Sequence, residues 1–301
     1  MKAAEVTRRD ISQLLATNVR SPDRRFAGST GRKTRPRKLE ATRRTVRNPN
    51  HVYAVVRAIY RWGLAQGLIE ADPTWGMRPP VVEVKPRERV LSADEIRRFW
   101  YNLDDAPIPE TFRILFRLAL VTAQRIGEVA GIDIAHLHLD AVAPVWTIPG
   151  AVTKNHEPHK VWLSSMAVDL ISEARALAPK SSWLFPLPSK NKAISTPSAV
   201  DMMKAARTSL AISDFRLHDL RRTVATYMGE LDIADRDIEG ILNHISGQRG
   251  VTRRHYDRAK RETAKRKAMH RWSEHLSAIL AERKPSVVTV NPLNFALSRE
   301  D

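Results

Sequence analysis

The stretch "RLHDLRRT", residues 216–223, places three arginines, one histidine and one aspartate among eight positions. His218 and Arg221 are three residues apart, so they share one face of a helix that we expect to begin near Asp219. A phosphate at the start of such a helix would meet an imidazole, a guanidinium fork and the positive end of the helix dipole. Arg222 is expected to point elsewhere and to make a surface or backbone contact. The alternative is an ordinary solvated helix face, and evidence from the rest of the chain is needed to distinguish it from a phosphate site.

The chain has 301 residues, enough for one large domain or two smaller ones, and 43% of them are hydrophobic, which predicts a globular protein. Its formal charge of +17 favours a polyanionic partner. Residues 1–50 have a net charge of +10 and residues 250–271 have one of +7, which predicts a protein that wraps around its partner. A basic tail and a solvated helix face would give the same pattern.

Several classes of protein are disfavoured by what the sequence lacks. The longest uncharged run, residues 285–298, has 14 residues. A membrane-spanning helix needs about 18. The N-terminal "MKAAEVTRRDISQLL" has no apolar core of the kind found in signal peptides. With no cysteine, the chain has no disulfide or thiolate chemistry, which fits a reducing cytoplasm.

The first part of the chain predicts one amphipathic helix, a loop and a linker. Residues 50–67 have apolar positions at helical spacing, whereas residues 24–38, with Gly, Pro and many charges, predict a loop. Residues 78–90 contain three prolines and predict an extended linker. The sequence "SADE", residues 92–95, then matches a capping box that begins a new helix. We therefore place a domain boundary near residue 88.

The remainder of the chain predicts a mostly helical domain with one small sheet. Residues 109–130 contain apolar helical segments, and residues 143–164, rich in Val, Trp and Thr around the polar turn "TKNHEP", predict a β-hairpin. The predicted fold class is mainly α with a small β-sheet (α+β). Further helical patterns cover residues 166–178, 197–210, 218–231, 235–243 and 258–282.

Two cations in this domain are candidate phosphate ligands. Arg125 lies in the apolar stretch "LVTAQRIGEVAGI", which predicts a helix, and Glu128 three residues later is placed to hold its guanidinium. A purely local ion pair is the alternative. Lys154 is predicted at the hairpin tip, where a flexible cation can reach outwards, although many hairpin tips carry lysine for solubility alone.

A histidine and a tyrosine complete the set of candidates. His244 follows an apolar helical segment, where a lone histidine is more often a helix cap. Tyr256 lies inside the second basic block, where an aromatic residue otherwise packs or stacks on bases. Together the candidates provide cations, proton donors and a hydroxyl nucleophile for phosphoryl transfer. The HExxH, CxxC and GxxxxGK[ST] patterns are absent, as is a carboxylate cluster of the metal-nuclease kind.

The order of these residues along the chain resembles that of the tyrosine recombinases, specifically the phage-type integrases carried by prophages and integrative elements. The resemblance extends from about residue 50 to residue 282. It rests on several phrases in register: "RWGLAQGLIEADPTWGM", "RVLSADEI", "RIGEV", "WTIP…TKN…PHKVWLS", "HDLRRTVAT" and "YDRAKRETAKRKAMHRW". One departure is "LNH" in place of the commoner "LGH", which we expect to affect the helix end more than the chemistry.

The resemblance implies a domain layout. A SAM-like helical core-binding domain with a basic N-terminal segment is expected over residues 1–87, a tyrosine-recombinase-type catalytic domain over residues 88–283, and a C-terminal tail over residues 284–301. The chain begins almost directly in the core-binding region, so we expect the arm-binding domain of many such integrases to be missing from it.

The resemblance also implies roles for the six candidates. Arg125 and Arg221 would clamp the scissile phosphate, while His244 would donate a hydrogen bond to a nonbridging oxygen. Lys154 would protonate the leaving 5′-oxygen, and His218 would transfer a proton at the nucleophile. Tyr256 would attack to form a 3′-phosphotyrosyl link. No cofactor and no ATP are implied.

The implied partners are double-stranded DNA attachment sites, bound by a homotetramer that assembles from free monomers in the bacterial cytoplasm, at the nucleoid. A host DNA-bending protein and an excisionase are further implied partners, and a membrane is not. Two alternatives share the fold: a non-catalytic DNA-binding protein, and a topoisomerase-like enzyme that relaxes DNA without exchanging partners.

Overall fold

The computed structural model describes residues 5–20, 47–80, 87–140, 142–153, 155–187, 190–244 and 258–282. The chain divides into two compact units between Glu88 and Arg89. Several predicted features lie outside the described residues: the loop at 24–38, the middle of the linker at 81–86, Lys154, Tyr256 and the tail at 284–301. Across the described residues, no helix is both long enough and apolar enough to cross a membrane.

The first unit contains helices α1 (Arg8–Arg20) and α2 (Arg47–Ala65). They pack through Ile11 and Leu15 of α1 and Tyr53 of α2, all of which are buried. The predicted helix at 50–67 is confirmed, with a start three residues earlier.

The buried face of α2 is narrower than its apolar pattern. Val55 and Ile59 stand at helical spacing in the sequence, yet they are 45% and 59% exposed in this unit. The face that packs on α1 instead passes through Tyr53, whose hydroxyl donates to the carbonyl oxygen of Met77 at 2.5 Å. Val52 and Val56 lie beside it.

The second unit is mainly helical, as predicted. The predicted helices at 166–178, 197–210, 218–231, 235–243 and 258–282 are confirmed to within two residues at each end. The helices of this unit are α3 (Ala93–Asn102), α4 (Glu110–Thr122), α5 (Ile126–Ala130), α6 (Ser165–Leu177), α7 (Thr196–Leu210), α8 (Leu217–Glu230), α9 (Asp235–Ile241) and α10 (Arg258–Ala281).

Helix α3 begins at the predicted capping box. The Ser92 hydroxyl accepts from the backbone N–H of Glu95 at 3.3 Å, and the Glu95 carboxylate accepts from the backbone N–H of Ser92 at 3.1 Å. The same carboxylate pairs with Arg89, the first residue of the unit. The start of the second unit is thereby fixed by one glutamate that binds both the helix terminus and the preceding chain.

The predicted hairpin is confirmed and forms two strands of a three-stranded antiparallel sheet. The strands are β1 (Leu137–His138), β2 (Val145–Ile148) and β3 (His159–Trp162), in the order β1-β2-β3, with Ile148 opposite His159. A second hairpin, β4 (Pro186–Leu187) with β5 (Lys190–Ala193), was not predicted. Its lysines and asparagine give no period-two apolar signal.

The core of the second unit surrounds α4, on which α6 and α10 pack. Trp272 of α10 is fully buried. Helix α10 also packs against α9 and β3. This arrangement brings together the C-terminal end of α4, the first turns of α8 and the C-terminal end of α9, where four of the predicted site residues lie: Arg125, His218, Arg221 and His244.

Candidate active site

Arg125 lies at a break between two helices. Helix α4 ends at Thr122 and is followed by Ala123, which has a left-handed backbone with φ of 57°, and α5 begins at Ile126. The prediction that Arg125 lies within one helix is therefore wrong. A left-handed alanine costs about 1–2 kcal/mol, so tertiary contacts have to hold it in place. The break directs the Arg125 guanidinium away from the core, where it is partly exposed.

The predicted partner of Arg125 is confirmed. Its Nη1 donates to Glu128 Oε1 at 2.8 Å, and its backbone N–H donates to Glu128 Oε2 at 3.1 Å. Glu128 thus caps α5 and orients the guanidinium with one carboxylate. Because this pair engages only one Nη of Arg125 within the part of the chain that the structure describes, the remaining N–H groups of the fork are available to an anion.

The first turn of α8 is stabilised by hydrogen bonds to a buried aspartate, Asp219. Asp219 is 1% exposed, and its Oδ2 accepts from the backbone N–H of Arg216 at 2.9 Å. Its Oδ1 accepts from Arg222 Nη1 at 2.6 Å. Arg222 was expected to make a surface or backbone contact, so this ion pair with a buried carboxylate is a correction. The helix begins at Leu217, two residues before the expected start.

Arg221 is buried and connects the ends of two other helices. It is 3% exposed. Its Nη1 donates to the carbonyl oxygen of Ala123 at 2.8 Å, and its Nη2 donates to that of Leu242. These carbonyls lie just beyond the last turns of α4 and α9, so Arg221 satisfies acceptors that each helix leaves open. Its Nε is buried without a partner among the described residues.

His244 follows a helix end of the Schellman type. Its backbone N–H donates to the carbonyl oxygen of Glu239 at 2.9 Å, while the backbone N–H of Asn243 donates to that of Gly240 at 3.4 Å. Asn243 adopts the left-handed conformation that this motif requires, with φ of 48°. The imidazole of His244 is exposed beyond the helix end.

Two buried polar residues that sequence reasoning missed hold the same helix end. Gln124 Nε2 donates to the carbonyl oxygens of Thr122 at 2.9 Å and Ile241 at 3.0 Å. His159, 5% exposed at the start of β3, places its Nε2 3.0 Å from the same oxygen of Ile241. Because a carbonyl oxygen only accepts, this imidazole nitrogen carries the proton.

A signal for both residues exists in the sequence. Gln124 is the one amide within the apolar run "LVTAQRI", and His159 shares the inward face of a strand with Val161 under period-two alternation. Buried polar side chains of this kind have to find hydrogen-bond partners, which marks them as members of a network.

The electrostatics show that four of the six predicted site residues lie close together. Burial and the charge of Arg125 lower the pKa of Arg221 to about 10. Burial lowers the pKa of His218, as do the charges of Arg222, Arg221 and Arg125. The pKa of His244 is lowered by partial desolvation next to the helix end and by the two arginines of the site, Arg221 and Arg125. The two histidines are therefore neutral imidazoles at neutral pH in a positively charged surrounding.

His159 is neutral for the same reasons. Burial, followed by the charge of Lys265 on α10, lowers its pKa to about 4, and Arg221 and Arg125 contribute in the same direction. The hydrogen bond to Ile241 favours the protonated form but does not compensate. His159 thus acts as a neutral donor at the base of the site.

Lys154 and Tyr256 lie outside the described residues, but described residues adjoin both. Asn155 contacts Asn243 through its side chain. Helix α10 begins at Arg258, two residues after Tyr256, and its Glu262 accepts from Trp162 Nε1 of β3 at 2.9 Å. Asn155 thus contacts the residue before His244, and α10, which begins after Tyr256, contacts β3 and the helix α9 that precedes His244.

The remaining tyrosines are engaged elsewhere. The hydroxyl of Tyr101 donates to the carbonyl oxygen of Leu280 at 2.7 Å, and that of Tyr53 donates to Met77 in the first unit. The ring of Tyr227 packs on Trp272 and His275 in the second half of α10. Tyr60 belongs to α2 of the first unit.

Comparison with known proteins identifies the family. The sequence profile of the phage integrase family matches residues 89–262, more than half of the chain. The chain belongs to the phage integrase family. It is accordingly a site-specific recombinase of the tyrosine class. A comparison with curated protein sequences returns no match.

Solved structures of integrases and recombinases share the fold. A lambda integrase (75–356) dimer bound to a COC′ core site matches with a TM-score of 0.57 and 16% identity, over 83% of this chain and 84% of that one. A lambda integrase tetramer bound to a Holliday junction matches with a TM-score of 0.58 and 16% identity, over 82% and 67%. The XerH site-specific recombinase bound to difH substrate matches with a TM-score of 0.58 and 15% identity, over 92% of this chain and 70% of that one.

Proposed function

We propose that this integrase-family enzyme cuts and rejoins double-stranded DNA at attachment sites through a 3′-phosphotyrosyl intermediate, and so integrates or excises a mobile element. The observation that carries the proposal is the convergence of Arg125, His218, Arg221 and His244 on the ends of α4, α8 and α9. The carboxylates of Glu128 and Asp219, which lie among these residues, are each already paired with an arginine, Arg125 and Arg222 respectively. A site with this charge favours a phosphate.

In the proposed reaction the two arginines hold the scissile phosphate. The Arg125 fork is oriented by Glu128 and partly exposed, whereas Arg221 is fixed by two backbone carbonyls. The Nε of Arg221, buried without a partner among the described residues, supports an anion at this point, because a native protein leaves few such donors unsatisfied. Preorganised donors of this kind stabilise the negative charge that develops in the transition state.

The two exposed histidines have different proposed roles. The lowered pKa of His218 leaves a neutral imidazole that accepts the phenolic proton of Tyr256 as its oxygen attacks phosphorus. His244, also neutral, donates a hydrogen bond to a nonbridging oxygen. The bond from phosphorus to the 5′-oxygen breaks, and that oxygen leaves with a proton from Lys154.

Tyr256 is the proposed nucleophile because the stretch "YDRAKRETAKRKAMHRW" resembles the family and because Tyr53 and Tyr101 donate their hydroxyls elsewhere. A 5′-hydroxyl of the partner strand then attacks the phosphotyrosyl bond, which releases Tyr256 and restores a phosphodiester. Bond energy is conserved, so no ATP is needed.

We further propose residues 1–87 as the core-binding domain, residues 88–283 as the catalytic domain, residues 284–301 as a tail, and a homotetramer on DNA as the active assembly.

A plasmid assay tests the function. A supercoiled plasmid carries two copies of the chromosomal DNA that flanks the coding sequence, and the reaction is stopped with SDS. We expect covalent protein–DNA adducts and two recombinant circles. Relaxed plasmid without recombinant circles would indicate a topoisomerase-like enzyme, and gel retardation without adducts would indicate a non-catalytic DNA-binding protein; either result contradicts the proposal.

A further inference from the structure

Two asparagines join the hairpin turn to the end of α9. Asn155 Nδ2 donates to Asn243 Oδ1 at 3.0 Å, and Asn243 Nδ2 donates to Asn155 Oδ1 at 3.4 Å. The residues are 88 positions apart in the chain, and both are half-buried. We call this reciprocal contact the amide pair.

The backbone turn at Asn243 does not require an amide side chain. A left-handed residue at this position of a Schellman motif is most often glycine, which adopts the conformation without strain. Asparagine tolerates the same conformation and adds two hydrogen-bonding atoms. The side chain of Asn243 therefore serves the contact with Asn155 rather than the turn.

Described residues of the hairpin make hydrogen bonds within the turn and join it to the end of α9 at two points. Within the turn, the Thr153 hydroxyl lies within hydrogen-bond distance of the carbonyl oxygens of Gly150 at 3.1 Å and Glu157 at 2.9 Å. At the base of the hairpin, His159 contacts Ile241 on the helix end. The amide pair is the second point, and it lies near the tip.

The tip contact adjoins two proposed site residues. Lys154 directly precedes Asn155, and His244 directly follows Asn243. Because one peptide bond joins Lys154 to Asn155, we expect a change at Asn155 to act on Lys154 through the chain. His244 is already held by its own backbone hydrogen bond to Glu239. Removal of the amide pair would therefore release the turn rather than the helix end.

We propose that Asn155 and Asn243 are positioning residues that hold the hairpin turn with Lys154 against the helix end with His244. His244 binds the scissile phosphate, and Lys154 is thereby placed to protonate the leaving 5′-oxygen of that phosphate. This inference rests on the proposed function, in which Lys154 protonates the 5′-oxygen. A misplacement of about 1 Å at a reacting group costs on the order of 100-fold in rate, which sets the expected scale.

Single-turnover cleavage of two DNA substrates tests the inference. One substrate has the normal 5′-oxygen at the scissile bond, and the other has sulfur there. A thiol has a pKa of about 8.5 and leaves as a thiolate, so it needs no general acid. Asn155→Ala and Asn243→Gly each remove the amide pair, and the glycine keeps the left-handed turn.

We expect both variants to cleave the oxygen substrate about 10- to 100-fold more slowly than the wild type and the sulfur substrate at close to the wild-type rate. The double variant should be no slower than either single variant, because one interaction is removed in all three. Asn102→Ala is the matched control. It removes an asparagine whose side chain donates to the Ser209 carbonyl oxygen at 3.1 Å, away from the site.

The possible failures are distinguishable. Equal slowing on both substrates, or wild-type rates on both, would overturn the role of the amide pair. A Lys154→Ala variant that sulfur does not rescue, or a wild type that forms no adduct, would overturn the proposed function and this inference with it.

Discussion

One guanidinium nitrogen of Arg221 donates to the carbonyl oxygen of Ala123, which lies 98 residues earlier in the chain. Ala123 is the left-handed residue that follows α4 and leads into Arg125. Arg221 thereby stabilises the backbone that positions Arg125, the other proposed phosphate ligand. A second donation, to Leu242, extends the same support to the helix end that carries His244. Arg221 is consequently both a structural residue and a proposed phosphate ligand.

This dual role predicts a difference between the two arginines. Arg221→Lys removes the bidentate fork from a buried site, so we expect the free energy of unfolding to fall by about 1–3 kcal/mol and cleavage to fall at least about 100-fold. Arg125→Lys should reduce cleavage similarly, while stability changes by less than about 1 kcal/mol because that ion pair is partly exposed.

Urea unfolding monitored by circular dichroism and adduct formation on a nicked DNA substrate measure the two effects. DNA affinity should stay close to wild type in both variants, since lysine keeps the charge. Equal decreases in stability for the two variants would contradict the structural role of Arg221, and near wild-type cleavage would remove the affected arginine from the clamp.

The buried His159 predicts an acid-sensitive fold. Its folded-state pKa of about 4 lies below the unfolded value of 6.5, so the unfolded chain binds the extra proton between these pH values. The stability that depends on neutral His159 is fully present above pH 6.5 and is lost as the pH falls towards 4. The decrease attributable to this group is on the order of 3 kcal/mol.

The comparison of wild type with His159→Gln isolates this contribution. Glutamine retains an N–H donor for the Ile241 carbonyl but does not titrate. The free energy of unfolding of the variant should therefore fall less steeply than that of the wild type between pH 6.5 and 4. Parallel pH profiles would show that His159 is not the titrating group.

The first basic block predicts a salt-dependent contribution to DNA binding. Deletion of residues 1–50 would also remove Ile11 and Leu15 from the core of the first unit, so charge substitution is the cleaner change. Glutamine in place of the seven basic residues in the segment 24–38 should weaken binding and flatten the slope of log K against log salt. The slope changes by about 0.9 for each phosphate that the protein no longer neutralises. An unchanged slope would show that the segment does not contact DNA.

Local signals in the sequence predicted much of the architecture. The capping box at Ser92 and the Val-, Trp- and Thr-rich hairpin with its polar turn are encoded by neighbouring residues, and both are present in the structure. The helix break at Ala123 was missed because residues far away in sequence stabilise it. Arg221 donates a hydrogen bond to the Ala123 carbonyl, and the Ile241 carbonyl accepts one from Gln124. Propensity alone favours continuing a helix through alanine.

The site shows the same difference between features that local sequence determines and features that depend on contacts with distant residues. His218 and Arg221 were predicted because three-residue spacing places them on one face of one helix. Asp219, in contrast, was not expected to be the buried partner of Arg222, since the burial of that turn depends on packing from elsewhere in the unit. The support of the α9 end by His159 likewise depends on tertiary structure.

The central claim is that Tyr256 is the nucleophile, and Tyr256→Phe tests it most directly. The change removes one oxygen and keeps the ring, so the free energy of unfolding and of DNA binding should each change by less than about 1 kcal/mol. The measurement is the covalent protein–DNA adduct on a nicked substrate, resolved by SDS gel electrophoresis, with and without EDTA. We predict an adduct for the wild type under both conditions, because the proposed charge stabilisation comes from Arg, Lys and His, and no adduct for Tyr256→Phe. An adduct that persists in Tyr256→Phe, or a wild-type adduct that EDTA abolishes, would contradict the mechanism.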